Sequence, residues 1–136
     1  MINVPALLHA HVEAWRNKPF RWGEADCCLF VQEWIARCGG PDHAAPYRGR
    51  YHSEDEARNL IGCDLGQFAR SLFGEPKAGP FACRGDVVFL DVPLAGGILG
   101  ICTGPNAAFV GENGMQFLRL NHLAGFWPIG GISWQR

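Results

Sequence analysis

Residues 19–38, PFRWGEADCCLFVQEWIARC, constrain the fold of this chain more than any other stretch. They read as a turn and then a helix that opens at Asp26, with Cys27 and Cys28 in its first turn. Aspartate is a favoured N-cap, and Gly39-Gly40-Pro41 is a strong stop signal. Between those ends Leu29, Phe30, Val31, Trp34 and Ile35 are apolar, and Gln32 and Arg37 are among the few polar positions. Such a helix, expected over about 26–38, is largely buried. A helix start offers free N–H groups and a partial positive charge, which favour a thiolate over a thiol. Reactive cysteines are often found there. Free cysteine is also among the most buried residue types, so the pair reads equally as small apolar filler. Both readings stay open on position alone.

The remainder of the chain bounds what can surround that helix. One domain of 136 residues is long enough for a single core. With 48% hydrophobic and 18% charged residues, the chain is globular rather than disordered. A net charge of -1 supplies no basic field for nucleic acid and no polybasic membrane anchor. No run approaches the length of a membrane span, and MINVPALLHAHVEAW lacks the basic start of a signal peptide. Synthesis and folding in a cytosol follow as the expectation, and in that setting the six cysteines default to free thiols. They form no C-x-x-C pair, and His9 and His11, two apart on a helix, point to different sides, so no metal site is expected.

Residues 5–17 carry Leu8, Val12 and Trp15 at near-helical spacing with Pro5 in the first turn, an amphipathic packing helix. The segment PDHAAPYRGRYHS, holding His43 and His52, reads as a loop. Ser53 and Glu56 form a capping box for a helix to Ile61, and Asp64 caps another through Leu72 that ends at Gly74. From Asp86 the pattern changes to strands, over 86–91, 98–103, 107–110 and 115–120, with Glu112-Asn113-Gly114 as a tight hairpin. A last piece, 126–134, closes the sheet. Helices first and an antiparallel meander after is an α+β domain, with the buried helix packed on a sheet over about 86–134.

The order of these pieces carries a resemblance. Phe20-Arg21-Trp22-Gly23 followed by Asp26-Cys27, then Arg84-Gly85-Asp86-Val87-Val88-Phe89, then Leu99-Gly100-Ile101 and a later Gly104, resembles the NlpC-type cell-wall peptidases of the papain-like superfamily. The resemblance covers most of residues 19–120. It implies a nucleophile at Cys27 and a cleft lined by Phe20, Trp22, Gly23, Cys28 and Ile98. Ile98 stands where that family has its catalytic histidine, just ahead of Leu99-Gly100-Ile101. The position that orients the histidine falls near Gly111, with Glu112 and Asn113 beside it. Phe20 and Cys28 replace the tyrosine and serine common in the family. A cysteine nucleophile needs a base, and amide hydrolysis needs an acid for the departing amine. His122, after the 115–120 strand, is the better substitute candidate, and His52 in the loop the second.

Short NlpC-like proteins encoded among phage tail genes are a close group of such proteins. Their likeness implies a catalytically degenerate domain kept as a scaffold in a long non-contractile tail tip. It would be made in the host cytoplasm and packed in the virion against distal tail and hub proteins. The alternative is an active amidase or endopeptidase opening peptidoglycan with Cys27. A third reading is a ligand-binding domain using a cleft of Phe20, Trp22 and Cys27. None of these implies a cofactor.

Overall fold

The computed structural model describes residues 3–62, 64–92 and 96–129. Four helices come first: α1 (Val4–Arg16), α2 (Cys27–Arg37), α3 (Glu54–Ile61) and α4 (Leu65–Phe73). Five strands follow: β1 (Val87–Val92), β2 (Gly96–Cys102), β3 (Asn106–Gly111), β4 (Gly114–Arg119) and β5 (Leu123–Trp127), with a single 3-10 turn at Leu120–His122. The fold is α+β.

Each helix begins where a side chain can accept its free N–H groups. Asn3, Asp26, Ser53 and Asp64 are the four N-caps, accepting from Ala6, Leu29, Glu56 and Gln67. The capping box at α3 is displaced by one residue, because Glu56 Oε1 accepts from the His52 N–H rather than from that of Ser53.

The sheet runs in the order β4-β3-β2-β1-β5, and every neighbouring pair is antiparallel. β1 to β4 form the expected meander. The last strand differs from the 126–134 expectation: it starts at Leu123 and pairs with β1, because Leu123 and Phe126 bury against β1 on the sheet's far face. Residues 130–136, including Trp134, lie outside the described residues, as does Cys63.

α2 packs on β2 and β3. Leu29, Phe30, Val31, Trp34 and Ile35 are fully buried, facing Leu99, Ile101, Ala108 and Val110 of the sheet. Each large apolar side chain of this kind stabilises the fold by about 1.5–3 kcal/mol. The Trp34 indole N–H also donates to the Gly85 carbonyl at 2.8 Å, which ties α2 to the turn that launches β1. Asp86 completes that turn, accepting from Cys83 N, and reaches further than the sequence suggests by accepting from Ile129 N after β5. The opposite sheet face carries a smaller core of Val88, Leu90, Cys102, Ala107 and Phe126. No helix among the described residues is long and apolar enough to cross a membrane.

Candidate functional site

The start of α2 is held by a buried carboxylate. Asp26 is 1% exposed. Its Oδ1 accepts from Leu29 N at 3.0 Å, and its Oδ2 accepts from Gly23 N at 2.9 Å and from the Tyr51 hydroxyl at 2.6 Å. Burial first, and then the Asp26 carboxylate, pushes the Tyr51 hydroxyl well above the ordinary phenol range, so Tyr51 stays the donor. Gly23 sits beneath Tyr51: a Cβ there would lie 2.1 Å from the Tyr51 carbonyl oxygen, and its φ of +79° suits glycine. The Gly23 carbonyl in turn accepts from Gly49 N at 2.8 Å. The loop of residues 41–52 is thereby fastened to the turn before α2, and Gly23 serves that joint rather than lining a cleft.

Tyr51 was not among the candidates from sequence, since it lies 25 residues from Asp26 in a loop with no periodic pattern. Its removal has a defined consequence. Tyr51→Phe leaves one Asp26 oxygen with a single donor, so a loss of about 2 kcal/mol is expected in urea denaturation. A loss below about 0.5 kcal/mol would mean water replaces the hydroxyl freely.

Cys27 is half-buried and faces a cleft of about 220 Å³. Trp22 and Cys28 line it from the α2 side, Glu54, Ala57, Arg58 and Ile61 from α3, and Gly62, Leu65 and Gly97 complete it. Cys28 itself is buried, and its thiol is held well above the usual thiol range, first by the hydrogen bond with Cys27 and then by burial. It acts as filler. Glu54 is the cleft's carboxylate, and it is bound to Arg58 at 2.6 Å.

Besides Gly23, two of the expected lining residues are placed elsewhere. Phe20 packs against the main core with its ring edge-on to Trp22 at 5.0 Å, behind the cleft wall. Ile98 points to the opposite side of the sheet, among Val88, Leu90 and Cys102, because alternate residues of a strand face opposite ways. Its neighbour Gly97 is the residue that faces α2 and lines the cleft. A Cβ at Gly97 would meet the Phe89 ring at 2.3 Å. Phe89, from the neighbouring strand, fills the space a side chain at 97 would need.

The remaining sites fall as follows. β3 returns antiparallel to β2, so Gly111, Glu112 and Asn113 come to the same end of the sheet as Gly97, in the tight turn between β3 and β4. His52 is exposed, with its ring nitrogen 3.3 Å from Glu56, and is not in the cleft wall. His122 closes the turn before β5, which lies two strands from β2, roughly 10 Å away at sheet spacing. Its side chain lies outside the described residues. Among the described residues no cluster of three His, Cys, Asp or Glu side chains is placed to hold a metal ion.

A family described as a domain of unknown function, DUF6950, matches residues 2–129. The chain belongs to the DUF6950 family. That match spans α1 through β5, so the Asp26–Tyr51 joint, the Cys27 cleft and the whole sheet lie within the DUF6950 domain. No curated protein matches the chain.

Proposed function

We propose that this DUF6950 chain is a catalytically degenerate NlpC-like domain, papain-like in fold, that serves as a structural part of a siphophage-type tail tip. The observation that carries the reading is the content of the cleft beside Cys27. Gly97 is the β2 residue that faces the thiol's cleft, and the Phe89 ring occupies the volume a base at that position would require. Among the described residues no histidine lines that cleft, and a thiol without a base and acid at hydrogen-bond reach lacks the proton transfers that amide cleavage needs. The cleft's carboxylate, Glu54, is engaged by Arg58. The order of elements, with a cysteine-led buried helix packed on a later antiparallel sheet, is compatible with the papain-like arrangement. What remains of such a site is its shape: a helix start fixed by Asp26, Gly23 and Tyr51, which needs no chemistry to persist.

Particles carrying Cys27→Ala are expected to assemble tails and to infect as wild type does, and the purified wild-type protein is expected to leave peptidoglycan undigested. Normal assembly with a collapsed titre would overturn the degenerate reading in favour of the hydrolase. A map of the assembled particle that gives this chain no neighbour would overturn the structural one.

A further inference from the structure

The two edges of the sheet are treated differently. At β5, Lys77 and Phe126 exchange backbone hydrogen bonds of 2.8 and 3.0 Å, and Pro76 presses on Gly125, so that edge is covered. At β4, among the described residues, nothing pairs with the outer side. β4 pairs with β3 from Gly111↔Gly114 to Asn106↔Arg119 without a register shift. In a two-residue hairpin the closing pair shares ladder bonds and alternate pairs follow it. The backbone N–H and C=O groups of Met115, Phe117 and Arg119 therefore point outward. Natural edges are usually blunted by proline, bulges or charge. This one carries a single charged residue, Arg119, and an exposed Phe117.

Beside that edge runs a groove of about 330 Å³ between α1 and the sheet. Pro5, Leu8, Val12 and Phe117 give it an apolar wall, and its charged rim holds Arg16 and Arg84. Glu13 is the rim's carboxylate and is already paired with Arg16 at 3.1 Å. Arg84 donates to the Thr103 carbonyl, and neither Arg84 nor Arg119 has a carboxylate partner among the described residues.

We propose that the free β4 edge and the α1–β4 groove together receive an extended strand of a partner protein, with an apolar and an acidic side chain two residues apart. Residues of an added strand opposite Phe117 and Arg119 share their face of the sheet, the face of α1. The apolar side chain enters the groove over Leu8 and Val12, and the acidic one meets the guanidinium group of Arg119, the outermost cation of the edge. Charge selects this occupant over a second copy of the chain, since two-fold pairing about Phe117 sets Arg119 opposite Met115 and leaves it without a carboxylate. The proposal deepens the structural reading by naming the docking surface and the chemistry of the partner. It does not use Cys27.

The probe is a blocked peptide of alternating threonines carrying leucine and aspartate two apart, titrated into the full chain and followed by NMR and amide exchange. Binding is expected to slow exchange at the Met115, Phe117 and Arg119 amides by about tenfold or more at saturation. Lysine in place of the aspartate, or Arg119→Glu in the protein, is expected to weaken binding by about tenfold, the loss of one charge-assisted pair. Arg119 is exposed, so that variant should melt as wild type does. Cys27→Ala protein should bind the peptide unchanged, which keeps this test apart from that of the cleft. Absence of binding, equal binding of the lysine peptide, or protection elsewhere than β4 would overturn the proposal. So would β4 amides already protected in the free protein. Concentration-dependent protection would then assign the edge to a second copy, and concentration-independent protection to the chain itself.

Discussion

Replacing Asp26 with alanine is expected to cost the folded state about 4 kcal/mol, close to the whole stability of a marginal domain. Three separate losses make up that figure. The N-cap of α2 goes, worth about 1 kcal/mol. The Tyr51 hydroxyl and the Gly23 N–H, both buried, lose their acceptor, at about 1–3 kcal/mol each. Release of a buried carboxylate from its desolvation cost offsets part of this. Asp26→Asn keeps one acceptor oxygen and should cost about half as much. Asp26→Ala, Tyr51→Phe and the double variant, compared with wild type by urea denaturation, form a cycle whose coupling between positions 26 and 51 should exceed about 1 kcal/mol. Additive losses would show that the hydroxyl and the carboxylate act independently, contrary to their 2.6 Å bond.

That joint also separates what the sequence discloses from what only folding reveals. The α2 boundaries were legible, because an aspartate before an apolar run and a Gly-Gly-Pro after it are local signals that act through the backbone alone. The same holds for Ser53 and Asp64, each three residues before the N–H it accepts from. Tyr51 was not legible. Its partner is remote in sequence, and the loop that carries it takes its shape from Gly23 and Asp26 rather than from its own residues.

The cleft shows a second limit. Strand β2 was visible, but its side-chain period is two, so a shift of one residue decides which face a position joins. Gly96-Gly97 reads as a turn, and the motif Leu99-Gly100-Ile101 then placed Ile98 at the base position. In the ladder Leu99 and Ile101 bury against α2, which turns Gly97 toward α2 and Ile98 away from it. The reason lies on β1, where the Phe89 ring needs a neighbour without a Cβ. No pattern within β2 encodes a requirement set by β1.

Folding stability is expected to fall by about 2 kcal/mol between pH 7 and pH 5, well above the range where carboxylates protonate, because of His11. The sequence marked His11 only as half of a pair too badly spaced for a metal. It is instead the fully buried bond between α1 and α2. Its Nε2–H donates to the Phe30 carbonyl at 2.9 Å, and its Nδ1 accepts from Arg37 Nε at 3.1 Å. Those roles require the neutral ring. It stacks on Phe30 at 5.0 Å and stands among Trp15 and Trp34. Burial lowers the imidazole pKa from 6.5 to about 4, with help from Arg37 and Lys18 and against the pull of the Phe30 carbonyl. The folded value lies below the unfolded one, so the unfolded chain takes up a proton through pH 6.5 that the folded chain refuses until about pH 4. The stabilisation is complete above the upper value and is lost as pH falls between the two. His43 is shifted the same way by burial, so the wild-type slope alone does not assign the effect. His11→Gln keeps an N–H donor but cannot titrate. It should be less stable than wild type at pH 7 and lose markedly less on going to pH 5. Equal slopes for the two proteins would place the pH dependence elsewhere and remove His11 as its source.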